Sequence, residues 1–193
     1  LSMDLEWPTD DTICDGSMPI IVDGSFQIAS TATDLQGSYC ICEITGDLSS
    51  ESNEALVDFE GMGNLTTITG DLEIRDSTSL EDFTGLESVT TIGGDVFLEE
   101  NDLLQDFTGL GGLETIGRSL ALDGNDELDD FRGLESLVSI GIDLSAGSSP
   151  ALIDFDGLES LLEIGNDLSL YNVSGLKDFG GLDSLVSVGG SFA

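Results

Sequence analysis

Six phenylalanines, Phe59, Phe83, Phe107, Phe131, Phe155 and Phe179, stand 24 residues apart, and this spacing constrains the fold more than any other feature of the chain. Each follows an aspartate: Asp58, Asp82, Asp106, Asp130, Asp154 and Asp178. Each precedes, by two residues, a glycine: Gly61, Gly85, Gly109, Gly133, Gly157 and Gly181. A fixed period of this length marks a stack of similar units in which each unit meets only its neighbours. In one unit the apolar places are Phe83, Leu86, Val89, Ile92, Val96, Leu98 and Leu104. The next repeats them as Phe107, Leu110, Leu113, Ile116, Leu120, Leu122 and Leu128. One unit cannot bury this skeleton alone, whereas stacked units can.

The spacings inside a unit predict its local structure. Steps of three from Phe to Leu to Leu predict a short helical or 3₁₀ turn. The step of two at Val96 and Leu98 predicts a short strand with alternate residues inward. Asn53, Asn101 and Asn125 recur at one place, which Ser77 and Ser149 fill in other units. A polar side chain stacked there satisfies turn backbone groups that would otherwise be buried and unpaired. The expected fold is a mostly β solenoid of 24-residue repeats, with a parallel sheet and short helical or 3₁₀ turns. Residues 1–34 read as an N-terminal cap, in which Ile20, Ile21, Val22, Phe26 and Ile28 cover the first coil. Residues 35–193 read as about six and a half repeats, stopping in mid-repeat, as a piece of a longer protein does.

Charge narrows the functional classes. The chain carries 39 acidic and 4 basic residues, a net charge of -35. Such a surface repels a phosphate backbone, so nucleic acid is not an expected partner. Anionic membrane surfaces are disfavoured for the same reason. No run of about 18 apolar residues is present, so direct membrane insertion is not expected. The chain has no histidine, which excludes Ser-His-Asp, Cys-His and His-based metal chemistry. The glycine-rich piece Gly109-Leu110-Gly111-Gly112 lacks the Lys-Ser/Thr of a phosphate loop. The chain is expected not to be an enzyme and to need no cofactor.

Two aspartate ladders follow from the period. The one before each Phe is expected to cap the following turn, its carboxylate meeting free backbone N–H groups. The other opens the strand at Asp47, Asp71, Asp95, Asp143 and Asp167, interrupted by Ser119 and Ser191. Neighbouring coils in a parallel sheet lie about 4.8 Å apart. Two charges at that distance repel by roughly 0.9 kcal/mol even at the dielectric of water. Backbone hydrogen bonds, high salt or bound Ca²⁺ would offset this, and the calcium option makes these five aspartates candidate metal ligands.

Outward-facing places flank the inward strand residues. One row is Ser49, Glu73, Phe97, Ala121, Ser145 and Ser169, and the next is Glu51, Arg75, Glu99, Asp123, Gly147 and Tyr171. Exposed aromatics and arginine are frequent interface anchors. The candidate ligand-binding residues are accordingly Glu73, Arg75, Phe97, Glu99, Asp123 and Tyr171. A threonine stack at Thr67, Thr91 and Thr115 points to an ice- or mineral-binding lattice, but gives way to Ser139, Glu163 and Ser187 further along. Cys14, Cys40 and Cys42 lie in or beside the cap, and a disulfide from Cys14 to Cys42 or to Cys40 would staple it to the first coil. Disulfide use places a protein outside the cytosol. Asn64-Leu65-Thr66 and Asn172-Val173-Ser174 are glycosylation sequons for a secretory host.

The run Ile92-Gly93-Gly94-Asp95-Val96-x-Leu98-x-x-Asn101-x-x-Leu104-x-x-Phe107-x-Gly109-Leu110-x-x-Leu113 resembles leucine-rich repeats. More closely, residues 35–193 resemble the receptor L domains of growth-factor and insulin receptors. The stretch Cys14-Asp15-Gly16 to Cys42-Glu43-Ile44-Thr45-Gly46-Asp47-Leu48 is similar to the cysteine-bracketed cap that opens an L domain. The resemblance implies a right-handed solenoid serving as an extracellular binding module, and it favours Cys42 as the partner of Cys14. The expected function is a secreted or cell-surface module for adhesion or recognition of a protein or glycan. A structural spacer held by Ca²⁺ is the alternative, followed by an ice- or mineral-surface binder.

Overall fold

The computed structural model describes residues 20–33, 35, 38 and 40–193, and there the period becomes a parallel β-solenoid of about seven turns. Most of the stretch read as a cap, Cys14 included, lies outside these residues. Strands alternate between two sheets. The first sheet holds β1 (Ile20–Val22), β3 (Ile41–Ile44), β5 (Thr67–Ile68), β7 (Thr91–Ile92), β9 (Thr115–Ile116), β11 (Ser139–Ile140), β13 (Glu163–Ile164) and β15 (Ser187–Val188). The second holds β2 (Phe26–Ile28), β4 (Leu48–Glu51), β6 (Leu72–Arg75), β8 (Val96–Glu99), β10 (Leu120–Asp123), β12 (Leu144–Gly147) and β14 (Leu168–Tyr171). Every neighbour pairing is parallel, and from β4 to β14 it shifts by one period, as in Leu120 against Val96 and Leu144. The parallel sheet expected at the Val96/Leu98 position is therefore present, and a second one stands at the Thr-Ile position. β1 and β2, within the stretch read as a cap, pair in line with both sheets.

No helix occurs among the described residues. The Phe-x-x-Leu-x-x-Leu segment is instead two successive tight turns, closed by Leu86 N–H to the Phe83 carbonyl (3.0 Å) and Val89 N–H to the Leu86 carbonyl (2.9 Å). The physical reason is Gly85, whose φ of 105° is outside any helix and is the positive φ that a type II turn demands at its third place. A Cβ there would also run into the Phe59 carbonyl of the preceding coil. The Phe-x-Gly signature thus encodes a backbone approach between coils.

The core is a column. Phe59, Phe83, Phe107, Phe131 and Phe155 are fully buried. With Phe179 their rings stack at 5.3–5.8 Å between centroids and within 14° of parallel. Such pairs add about 0.5–1.5 kcal/mol each beyond the area they bury. Leu72 and Ile74 of β6, Ile68 of β5 and their period-related copies fill the remaining sides, buried except toward the last coil, where Leu170 and Val188 are partly buried. Asn101 lies fully buried in a turn. Its Oδ1 accepts the Ser77 N–H (3.1 Å) and its Nδ2 donates to the Ile74 carbonyl (3.0 Å). Asn125 serves the Asn101 N–H and the Leu98 carbonyl in the same way. This is the structural role expected of the ladder.

Candidate functional site

The second sheet positions the candidate residues by simple alternation. Because Leu72 and Ile74 point into the column, Glu73 and Arg75 point out, and the same holds for Phe97 and Glu99 on β8 and for Ala121 and Asp123 on β10. In-register pairing then makes rows across the sheet: Glu73 beside Phe97, Phe97 beside Ala121. The second row runs Arg75, Glu99, Asp123, Gly147, Tyr171.

Glu73, Arg75, Phe97 and Glu99 form one cluster. The Arg75 guanidinium contacts Glu99 at 3.0 Å and Glu73 at 3.8 Å, and lies 5.6 Å from the centre of the Phe97 ring. All three charged side chains stay at least a third exposed, so these ion pairs orient the arginine more than they stabilise the fold. Asp123 and Tyr171 form a second cluster. Tyr171 is 47 % exposed, yet its ring lies across Gly147, where a Cβ would overlap it. Burial, and then hydrogen bonding to the Asp123 carboxylate, hold the Tyr171 hydroxyl above its ordinary pKa. Asp123 Oδ1 is buried with no hydrogen-bond partner. Glu99 and Asp123, side by side in register, join the two clusters. Between the aromatic residues the outward places are small, Ala121 and Ser145, which leaves a low floor. Gly147 is the part that sequence reasoning missed. Its signal was present: the row loses its charged side chain at the one place beside a tyrosine.

The strand-opening aspartates do something else. Asp47 Oδ1 accepts the Asp71 N–H (2.9 Å), and Asp71 Oδ1 accepts the Asp95 N–H (2.7 Å). Asp95 serves Ser119, Asp143 serves Asp167, and Asp167 serves Ser191. Each carboxylate is thus held by the next coil's amide, which offsets the repulsion along the rail. Second oxygens and neighbours are also engaged, as in Arg118 to Asp95 at 2.9 Å. Among the described residues no three acidic or thiol side chains converge as a metal's ligand set. The aspartates before each Phe accept the N–H two residues on, at 2.8–3.0 Å from Asp58 to Asp178. They brace turns, as expected, although no helix follows.

The remaining candidates are dispersed. Cys42 carries a free thiol 3.5 Å from the Ile20 carbonyl, so the Cys14–Cys42 pairing is not made. Asn64 and Asn172 are both exposed, Asn172 at a φ of 55° just after β14. Thr67, Thr91 and Thr115 do stack on the first sheet, while the Thr66 and Thr90 hydroxyls donate to backbone carbonyls of the preceding coil. Among the described residues no helix is long and apolar enough to cross a membrane. No protein-family model, no curated protein and no solved structure matches the chain.

Proposed function

We propose that this chain is a non-catalytic recognition module of the leucine-rich-repeat, receptor L-domain type, and that its ligand, a protein or a glycan, docks on the outer face of the second sheet. The observation that carries this reading is where the repeat breaks its own pattern. The Phe, Gly and inward aliphatic places repeat from coil to coil, and the strand-opening Asp rail and the buried Asn ladder vary only to serine over most of the column. The outward rows vary along the column, from Glu73 to Phe97 to Ala121 in one, and from Arg75 through Glu99 and Asp123 to Gly147 and Tyr171 in the other. A surface free to stay uniform, yet varied around two aromatics and an arginine, suits one shaped partner. The proposal does not call on calcium, because the Asp rail is occupied by amides. A secreted or cell-surface setting goes with it, with Cys40 as the partner of Cys14: Cys42 is free, and Cys40 is not.

The test is a binding survey of the full chain against arrays of extracellular proteins and of glycans, beside a Phe97→Ser/Tyr171→Ser variant. The expected result is a ligand held by the parent chain and weakened by at least roughly tenfold in the variant, at an unchanged unfolding midpoint. Ligands held equally by both would remove this face as the site.

A further inference from the structure

Resting on that reading of the face, we propose that its occupant is a cationic protein segment, with a lysine or arginine side chain seated between Glu99 and Asp123 against Tyr171. Charge complementarity is the first argument. The two outward rows bring Glu51, Glu73, Glu99 and Asp123 onto one surface. Arg75 is the cation on these rows, and Glu73 and Glu99 already hold it. The face therefore meets a partner as a net anion, on a chain with 39 acidic residues against 4 basic ones. A neutral or acidic partner gains nothing from desolvating these carboxylates, whereas a basic one replaces their water with charge-assisted hydrogen bonds.

The second argument is local and independent of net charge. Asp123 Oδ1 is, among the described residues, the buried side-chain oxygen or nitrogen without a hydrogen-bond partner. A buried acceptor left without a donor is a standing cost that an incoming N–H relieves. The side chain that leans on this carboxylate is Tyr171, which is half exposed and stands on the bare backbone of Gly147. An aromatic face beside a carboxylate pair is a favourable seat for a cation. Phe97 already holds the Arg75 guanidinium over its ring in this way, 5.6 Å from the centroid, on the same sheet face. Ala121 and Ser145 supply a low floor on which an extended chain can lie across the strands.

The probe is a synthetic peptide of alternating Lys and Ser, with its Glu-Ser counterpart, titrated into the full chain at physiological ionic strength. Screening over roughly 8 Å then removes most of the long-range attraction. Two charge-matched variants decide between a site and a diffuse field. Glu99→Gln/Asp123→Asn removes two charges from the face. Glu114→Gln/Glu163→Gln removes two exposed charges from the first-sheet side. The expected result is Lys-Ser binding that weakens roughly tenfold in the face variant and less than about twofold in the control. Equal losses in both, or equal binding of the Glu-Ser peptide, overturn the proposal. Should Asp123→Asn impair folding, Glu73→Gln/Glu99→Gln reads the same effect on exposed side chains alone. A neutral or acidic ligand that depends on Phe97 and Tyr171 but not on Glu99 and Asp123 overturns the cationic inference and leaves the recognition face standing. Loss of ligand dependence on all four residues removes both.

Discussion

A buried Asn101 with both ends of its amide engaged shows what one residue does in this fold. Its Oδ1 satisfies the Ser77 N–H and its Nδ2 the Ile74 carbonyl, and neither backbone group has water to turn to. Asn101→Ala leaves the Ser77 N–H unpaired and takes a donor from the Ile74 carbonyl, and should cost about 2 kcal/mol in a chemical unfolding experiment. Asn101→Ser should cost clearly less, because Ser77 and Ser149 already fill this place with hydroxyls bonded to backbone carbonyls. Equal losses for the two would mean that packing, not hydrogen bonding, holds the position. The ladder was legible in the sequence because an amide recurring at a fixed interval amid aliphatics has few other uses. The berth of Tyr171 on Gly147 was less legible: a glycine in a repeat reads first as a turn, and its meaning emerges only once register puts the ring above it.

At the scale of elements, alternation along β4, β6, β8, β10, β12 and β14 was readable because four residues show two inward and two outward places. The strands of the first sheet from β5 onward have two residues each, too short for any period to register, so that sheet was invisible beforehand. The helical turn was misread for a related reason. Steps of three fit a helix and also fit two chained turns, and only the positive φ at Gly85 and its copies separates them. The aspartate rail carries a prediction at this scale. Asp71→Asn keeps an oxygen for the Asp95 N–H while removing a charge flanked by Asp47 and Asp95, so it should match or exceed the parent's stability. Asp71→Ala frees the Asp95 N–H and should lose about 1–2 kcal/mol. Ca²⁺ should raise the unfolding midpoint no more than NaCl of equal ionic strength. A destabilised Asp71→Asn together with a calcium-specific rise would instead make the rail a cation site.

The described residues form a column in which each inner coil rests on two others, so its stability sums nearest-neighbour terms. Its charge acts on the column at once. The carboxyl of Glu100 is raised above its usual pKa by hydrogen bonding to and repulsion from Asp76, and that of Asp156 by repulsion from Asp154. An acid whose pKa is raised on folding binds more protons in the native state than in the unfolded one. Stability then falls as pH rises through the raised value and is regained as pH falls back toward the unfolded value. Mild acidification from neutrality into the upper carboxylate range should therefore raise the thermal midpoint, and Glu100→Gln should shrink that rise; a midpoint that falls steadily on acidification contradicts this. The central claim is that repetition carries the fold and departures from it carry recognition. Saturation mutagenesis of the full chain, scored by protease resistance at every position, tests it most directly. The account predicts sensitivity recurring every 24 residues at the Phe, Gly, Asn and inward aliphatic places, with tolerance at Glu73, Arg75, Phe97, Glu99, Asp123 and Tyr171. Those six positions proving as sensitive as Phe107 or Gly109 would contradict it, because the face would then belong to the fold.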